Sequence, residues 1–295
     1  MKVKFPKYNK DWDSRESSGI QYHRYYNIHF KYILNILKYC NIDIKLVEPT
    51  YFKVKHKTAF EIEINGDLIL IDFSDFELLS FDEISEYKAV FKFHYNEEIH
   101  SFFPNIFPFS PVNFHKWDIY YEYVNKYEYK ANGKIYNQQS PAGNAYDRRH
   151  YVRNLLIEKY EDDFIYEKSN KTTFYKNISK CLVSICVPGA RNNMLDRGQG
   201  QYMLLGCCTI SPKLVTTLSY GLNLKPNIHY IECKDDYSDL IDKIEWCKKN
   251  KDKCKIIGEN AKKIMQQTST PERQIEWIKK CLNYGKYSTL EMPKK

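Results

Sequence analysis

Glycine, amide and basic residues are concentrated between Gly189 and Gln201, in the segment GARNNMLDRGQGQ. A Gly-rich turn that leads into a helix offers backbone N–H groups and the positive end of the helix dipole to an anion. Arg191 and Arg197 add full positive charge beside those groups. The segment therefore predicts a phosphate-binding loop.

The same segment contains the start and stop signals of a short helix. Asp196 is well placed to cap a helix over residues 198–205, and Gly206 is typical of a helix C-terminus. Gln201 lies one turn after Arg197, so an amide and an arginine share one face. An ordinary capped helix with surface polar groups is the alternative. Because several uncommon features coincide in this segment, we favour a ligand-binding role. The candidate ligand-binding residues here are Gly189, Arg191, Asp196, Arg197 and Gln201.

A second loop of similar character spans residues 140–149, with the sequence SPAGNAYDRR. Gly143 permits close backbone approach to a ligand, and Arg148 and Arg149 stand at the start of a helix predicted over residues 147–160, with Asp147 as its cap. Cations at a helix N-terminus oppose the helix dipole, and a bound diphosphate would explain them. A plain surface turn with two exposed arginines is the alternative.

The second half of the chain alternates between strand and helix patterns, which is typical of βαβ units and a mainly parallel sheet. Ligands bind beyond the carboxyl ends of the strands of such sheets, where both loops are predicted to lie. Helices are predicted near residues 238–250, 253–267 and 271–283.

The first half has a mixed pattern. A helix is predicted over residues 28–40, a strand over 42–47 and another over 87–95. The segments FEIEI and LILIDF flank Asn65 and Gly66, which is a strong hairpin signal. Charged and turn-forming residues cluster around residues 127–133, so we expect a boundary there and three parts: 1–130, 131–270 and a C-terminal helix segment over 271–295.

Composition narrows the range of partners. The chain has 295 residues, enough for two domains, and a formal net charge of +8, which favours an acidic partner such as a nucleotide or nucleic acid. The lysines are spread through both halves, so a nucleic-acid partner stays open.

Cysteine usage and hydropathy indicate the compartment. The nine cysteines predict no disulfide framework, and no C-x-x-C pair indicates a zinc site. No apolar segment is long enough to span a membrane, and the N-terminal stretch lacks a secretory signal. We expect a cytoplasmic protein that needs no metal or other cofactor.

Three segments carry a resemblance to a known family: DRGQGQYMLLGCCTISP, HYIECKDDYSDLIDKIEW and GENAKKIMQQ. Together they resemble the donor-binding domain of GT-B glycosyltransferases, in particular the protein O-glucosyltransferase and capsule-associated xylosyltransferase group. The resemblance implies an α/β fold of two Rossmann-like domains facing a central cleft, and a nucleotide-sugar donor, most often a UDP-sugar. It implies that residues 1–130 form the acceptor side and that residues 131–270 bind the nucleotide sugar. It places Gln201, five positions before Gly206, on the donor ribose, where many relatives have Glu. It also implies that the C-terminal helix crosses back to the N-terminal domain.

The resemblance extends to the first half, where NGDLILIDFSDFE and YKAVFKFHY are similar to a hairpin and strand beside the cleft. It implies that Lys92 faces the cleft and that Asp72 or Asp75 is available for acid/base chemistry. Arg149 and Arg197 would stabilise the leaving diphosphate without a metal. An acceptor hydroxyl must lose a proton, for which the candidates are Asp75, His94 and His23. Each also has a purely structural interpretation.

Two alternatives to this interpretation stay open, and a third is set aside. The acceptor is a glycan or protein hydroxyl, or else a nucleic acid. A non-catalytic module of the same fold that binds a nucleotide or nucleic acid is the rival from another class. Asp11 and Asp13 form a D-x-D spacing that suits a divalent metal, but they precede any nucleotide-binding strand, so we interpret them as coincidence.

Overall fold

The computed structural model describes residues 1–7, 22–48, 51–52, 59–74, 84–110, 117–141, 143–167, 169–189 and 191–284, with the backbone alone at 22–29, 144 and 171. The chain forms two compact units. The first comprises Met1–Ser110, Ser219–Gly221 and Ser269–Lys295, and the second comprises Pro111–Leu218 and Leu222–Thr268. The functional domains expected from sequence, with boundaries after residues 130 and 270, stay predictions beside this division.

The first unit is built on a mixed six-stranded sheet with the order β2-β1-β3-β4-β5-β6. Its strands are β1 Lys2–Pro6, β2 Asp43–Val47, β3 Ala59–Ile64, β4 Asp67–Asp72, β5 Ala89–Lys92 and β6 Ile106–Pro108. Strand β3 pairs antiparallel with both neighbours, and the other pairs are parallel. All strands except β3 therefore run in one direction.

The predicted hairpin is confirmed. Strands β3 and β4 pair in register across Asn65 and Gly66, whose φ angles are 54° and 96°. Two consecutive positive φ values match the right-handed twist of the flanking strands. The Asn65 side chain also accepts a hydrogen bond from the backbone of Lys2 at 2.8 Å, so the turn is tied to the start of β1.

Among the described residues, the first unit contains helices α1 Tyr22–Tyr39, α2 Glu97–His100 and α9 Pro271–Tyr284. Helix α1 begins six residues earlier than its apolar pattern predicted. Phe30, Ile33 and Leu37, spaced at helical intervals, are buried. Helix α9 packs against α1.

A buried polar cluster joins three stretches of the first unit that are distant in sequence. The Ser219 hydroxyl accepts from the Ser110 backbone at 3.1 Å and donates to Gln274 Oε1 at 3.0 Å. Beside it, Tyr220 adopts φ 66°, which is uncommon for a bulky residue. The Tyr220 hydroxyl donates to the backbone oxygen of Arg273 at 2.7 Å, so both residues hold helix α9.

The second unit contains a five-stranded sheet with the order β13-β10-β9-β7-β8, in which every pair is parallel. Its strands are β7 Ile135–Tyr136, β8 Phe164–Ile165, β9 Val183–Ile185, β10 Thr209–Ser211 and β13 Ile231–Glu232, and β11 Thr217–Leu218 and β12 Leu222–Asn223 form a separate ribbon. The predicted α/β class with mainly parallel sheets is confirmed.

Helices alternate with these strands, as expected. They are α3 Trp117–Lys126, α4 Tyr146–Tyr160, α5 Lys171–Lys180, α6 Arg197–Leu204, α7 Leu240–Lys249 and α8 Lys251–Ser269. The prediction that Asp147 caps α4 is wrong. A 3₁₀ turn over Gly143–Ala145 runs directly into the helix, which leaves Asp147 inside the first turn.

Helix α6 ends as predicted at Gly206, which has φ 80°. The Gly206 N–H donates to Met203 at 2.9 Å and the Cys207 N–H to Tyr202 at 3.0 Å, the pattern of a glycine-terminated helix. Gly258 of helix α8 packs on this turn. A Cβ at residue 258 would stand 2.0 Å from the Gly206 backbone oxygen.

Candidate functional site

The strand order of the second unit creates a switch point between β7 and β9. Numbered along the chain, its strands lie in the order 2-1-3-4-5, so successive connections leave in opposite directions from the first and third strands. Ligands of doubly wound sheets bind outside the carboxyl ends at such a point. Two loops leave the strands there: the β7 loop (residues 137–145) and the β9 loop (residues 186–196).

Side-chain amides bridge the switch point beyond the last paired residues of the two strands. Asn137 donates from Nδ2 to the backbone oxygen of Ile185 at 3.0 Å. Gln139 accepts at Oε1 from the Val187 backbone N–H at 2.6 Å. These pairs continue the strand register, in which Tyr136 pairs with Ser184. The amides thus take over from the backbone ladder where the strands separate.

Three elements of the site meet at the Asp196 carboxylate, and we call this meeting point the junction. Asp196 Oδ1 caps helix α6 by accepting from the Gly198 N–H at 2.8 Å, as the sequence predicted. The same oxygen accepts from Gln139 Nε2 at 2.8 Å, and Oδ2 accepts from Arg149 Nη2 at 3.1 Å. One carboxylate therefore connects the β7 loop, helix α4 and helix α6.

Arg149 spans the same junction with all three guanidinium nitrogens. Besides the ion pair with Asp196, its Nε donates to the Val187 backbone oxygen at 3.1 Å and its Nη1 to that of Ser140 at 3.2 Å. These contacts brace the two loops. The predicted role of Arg149 on a diphosphate stays a prediction.

The neighbouring arginines of helix α4 also bind loop backbone. Arg148 donates to the backbone oxygen of Gly189, and Arg153 donates to that of Gln139 at 2.8 Å. Cations at the start of α4 therefore hold carbonyl groups of both loops, which offsets their unfavourable position relative to the helix dipole.

Two glycines of the site have identifiable conformational reasons. A Cβ at Gly198 would stand 2.9 Å from Asp196 Oδ1, so glycine leaves room for the carboxylate. Gly143 has φ 57° and open space around it, so the β7 loop turns there in the left-handed conformation that glycine adopts freely.

The β9 loop is anchored on its far side by Asn192. Asn192 donates from Nδ2 to the Asp235 backbone oxygen at 2.8 Å and accepts at Oδ1 from the Tyr237 hydroxyl at 3.0 Å. Burial raises the pKa of Tyr237, which keeps this donor protonated. Farther along, the Leu195 N–H donates to the Thr216 hydroxyl at 2.8 Å. The β9 loop, which carries Arg191, is therefore held at Asn192 and at Leu195.

The remaining candidates of this loop lie around the start of α6. Arg197 is the first residue of the helix, Gln201 follows one turn later, and Arg191 and Gly189 lie in the β9 loop. All four are half-buried. The structure thus brings every predicted donor-side residue of the β9 loop and α6 to the carboxyl side of the switch point, and their ligand contacts stay predictions.

Sequence reasoning missed three buried amides, Asn137, Gln139 and Gln199. Gln199 donates from Nε2 to the hydroxyls of Thr209 at 3.2 Å and Ser211 at 2.8 Å, which holds α6 against β10. The available signal for Gln139 was its spacing: Asn137 and Gln139 alternate directly after a strand, so their side chains share one face.

The candidates of the first unit form a different kind of cluster. Lys92 Nζ lies 2.9 Å from Asp72 Oδ2, and both side chains are 1% exposed. Lys92 also donates to the backbone oxygen and hydroxyl of Ser74 at 2.8 and 2.7 Å. His94 is half-buried in the turn after β5. Asp75, Asp11 and Asp13 lie outside the described residues, as does the side chain of His23.

Seven of the nine cysteines lie in the second unit, and all seven are buried there. All nine are free thiols, and eight are buried. Cys181 Sγ lies 3.4 Å from Cys207 Sγ, and burial raises the pKa of Cys181, so the thiol stays protonated. Within the described ranges, no His, Cys, Asp and Glu side chains form a group of three or more that would hold a metal ion.

No family model matches the sequence. An 87-residue segment is 36% identical to uncharacterized protein 179R of Invertebrate iridescent virus 6, and a 64-residue segment is 37% identical to uncharacterized protein 035R of Invertebrate iridescent virus 3. The matches cover 27% and 22% of this chain but 7% and 6% of the viral proteins. The chain therefore spans under a tenth of the length of these relatives.

Two solved structures are similar in shape. The structure of Anabaena Alr3699/HepE in complex with UDP has a TM-score of 0.48 at 10% identity, over 68% of this chain and 65% of that one. A glycosyltransferase from Rickettsia africae ESF-5 has a TM-score of 0.46 at 10% identity, over 94% and 85%. Scores below 0.5 do not establish a common fold.

The part of the chain that the structure describes contains no helix with the length and apolar character needed to cross a bilayer.

Proposed function

We propose that the chain is a GT-B-type glycosyltransferase that transfers a sugar from a nucleotide-sugar donor, a UDP-sugar, to an acceptor hydroxyl. The supporting observation is the switch point of the second unit, where Asp196 joins the β7 loop to the start of α6. Arg197 and Gln201 follow on one face of that helix. This arrangement provides cationic and amide groups one turn apart at a helix N-terminus.

The chemistry requires stabilisation of the leaving nucleoside diphosphate. Negative charge grows on its oxygens as the bond to the sugar breaks, and Arg197, aided by Arg191, stabilises that charge electrostatically. The Gln201 amide both donates and accepts hydrogen bonds, which suits the ribose hydroxyls. The donor serves as co-substrate, and no metal is required.

The acceptor side belongs to the first unit in this proposal. An acceptor hydroxyl on a glycan or protein needs a base, and Asp75, His94 and His23 are the candidates. The buried Asp72–Lys92 pair would support this side as the structural base of β4 and β5.

Calorimetry with a panel of UDP- and GDP-sugars tests the donor. We expect UDP-sugar binding to weaken at least tenfold in an Arg197→Ala variant, the loss of one charge-assisted contact. Lys134→Ala is the matched control, because Lys134 is an exposed cation at the amino end of β7, opposite the switch point. Wild-type protein that binds no sugar nucleotide contradicts the proposal. Hydrolysis of the donor that persists in EDTA would support a metal-independent enzyme.

A nucleic-acid acceptor is the second candidate, favoured by the net charge of +8. Retention on immobilised DNA that falls steeply with added salt would support it. A nucleotide-binding module without catalysis would bind UDP but release no free nucleotide from a UDP-sugar.

A further inference from the structure

Both ends of the buried Gln139 amide are hydrogen-bonded at the switch point. Gln139 is 8% exposed. Its amide oxygen accepts from Val187 at 2.6 Å and its amide nitrogen donates to Asp196 Oδ1 at 2.8 Å. One side chain thus links the strand end of β9 to the cap of α6.

The Asp196 carboxylate needs this link because its position depends on three donors from different elements. The Gly198 N–H comes from α6, the Gln139 amide from the β7 loop and the Arg149 guanidinium from α4. Arg149 balances the charge from the side of Oδ2. Gln139 and the Gly198 N–H donate to the same oxygen, Oδ1, so Gln139 supports the oxygen that caps α6.

From this geometry we propose that Gln139 is a positioning residue for the donor diphosphate. It holds the Asp196 carboxylate turned toward the first turn of α6, so the helix N-terminus and Arg197 stay aimed at the space beyond the switch point. This inference rests on the proposed function. Gln139 touches no donor atom itself and acts through Asp196.

The absence of a side chain at residue 198 supports the same role. A Cβ there would lie 2.9 Å from Asp196 Oδ1 and 3.9 Å from Gln139 Nε2. Glycine at this position therefore preserves the junction. Gly198→Ala disturbs Asp196 without changing Gln139, which makes it an independent probe.

The test compares UDP with uridine, which lacks the diphosphate, by calorimetry on the full chain. In Gln139→Ala and Gly198→Ala we expect UDP affinity to fall about tenfold or more, the effect of one hydrogen bond to a charged group, with uridine affinity within twofold of wild type. Gln138→Ala is the matched control. The Gln138 amide binds Glu167 and Ser169 on the opposite side of β7. The Gln138→Ala variant should bind UDP and uridine with the same affinities as wild type.

A Gln139→Glu variant separates positioning from a general loss of packing. At pH 8 the Glu carboxylate cannot donate and repels Asp196, so UDP binding should be weak. At pH 5 the close pair of carboxyl groups shares a proton, which restores a donor to Asp196. UDP binding should then recover relative to wild type at the same pH, a comparison that cancels protonation of the terminal phosphate of UDP. The guanidinium groups of Arg148, Arg149 and Arg153 also face the β7 and β9 loops in the variant and in wild type alike.

The outcomes are distinct. If wild type and Gln138→Ala bind UDP and Arg197→Ala does not, but folded Gln139→Ala binds UDP normally, the inference is wrong and the proposed function stands. Equal losses for UDP and uridine, or no recovery of Gln139→Glu at low pH, also overturn it. If wild type binds no UDP, both proposals fail.

Discussion

Lys92 and Asp72 face each other across two parallel strands, with 2.9 Å between the ammonium and a carboxylate oxygen and 1% of either side chain exposed. They are register partners at the last residues of β5 and β4. Ser74 completes the cluster, since its N–H donates to Asp72 and its two oxygens accept from Lys92. The pair therefore depends on mutual compensation, because a buried charge without its partner is strongly unfavourable.

Removing one member of this pair should be costly. We expect Lys92→Met to lower the free energy of unfolding by about 3–5 kcal/mol, because Asp72 is left buried and unpaired. The double variant Lys92→Met/Asp72→Asn should recover much of that loss. Urea denaturation measures both. Lys7→Met, which breaks an exposed pair with Glu48, is the control, with an expected change below about 1 kcal/mol. Equal losses of unfolding free energy in Lys92→Met and Lys7→Met would contradict this prediction.

The contact of α8 with the end of α6 should not tolerate a methyl group. We expect Gly258→Ala to cost about 3 kcal/mol or more, because its Cβ would stand 2.0 Å from a backbone oxygen that cannot rotate away. Ile256→Ala on the same helix is the control, since Ile256 is 56% exposed and its truncation should change stability by about 0.5 kcal/mol. Thermal and urea unfolding would check the difference. A Gly258→Ala protein as stable as wild type would exclude the close packing.

His229 should make stability depend on pH. Burial, with a smaller effect of Lys225, lowers the pKa of His229, whose Nδ1 accepts from the Lys225 N–H at 2.9 Å. The unfolded chain then binds the proton more tightly, so this stabilisation is present above the unfolded pKa of about 6.5 and is lost as pH falls through the folded pKa.

The check is the loss of unfolding free energy between pH 8 and pH 5. It should be larger in wild type than in His229→Asn, which keeps an acceptor but does not titrate. Contributions of the other histidines cancel in this comparison. An NMR titration that places the pKa of His229 at or above its ordinary value would contradict the prediction.

The serine cluster of the first unit should contribute through hydrogen bonding. In Ser219→Ala the Ser110 N–H and Gln274 Oε1 lose a partner in a site where all three residues are fully buried. We expect a loss of about 1–3 kcal/mol in unfolding free energy, measured by urea denaturation. Ser101→Ala, at an exposed serine, should be neutral. A neutral Ser219→Ala would mean that the remaining groups pair with each other.

The parts of the fold that sequence predicted well are those with local signals. Asn65 and Gly66 specify their hairpin because the turn itself requires positive φ values. Asp196 and Gly206 mark both ends of α6 for the same reason, since a cap acts on residues two or three positions away.

The candidate site was predicted less completely, because its connections are long-range. Gln139 and Asp196 are 57 residues apart, and nothing near either residue indicates the other. The start of α4 was misplaced because Asp147 has the side chain of a cap, while the preceding 3₁₀ turn set the actual boundary. Lys92 was expected to face a cleft, a role that stays a prediction, but its pairing with Asp72 required the register of β4 and β5.

The two amide bridges of the switch point differ in reach. Asn137 meets residue 185 with one methylene in its side chain, whereas Gln139 meets residue 187, one step farther from the sheet, with two. The two distances are 3.0 and 2.6 Å, and the longer side chain serves the position farther beyond the last paired residues. Each amide therefore joins one pair of residues beyond the ladder, 137 with 185 and 139 with 187, and extends the register of β7 and β9 by side chains. Shortening Gln139 to Asn would withdraw one methylene from both of its contacts, so the closure of the two strand ends and the cap of α6 depend on the length of a single side chain.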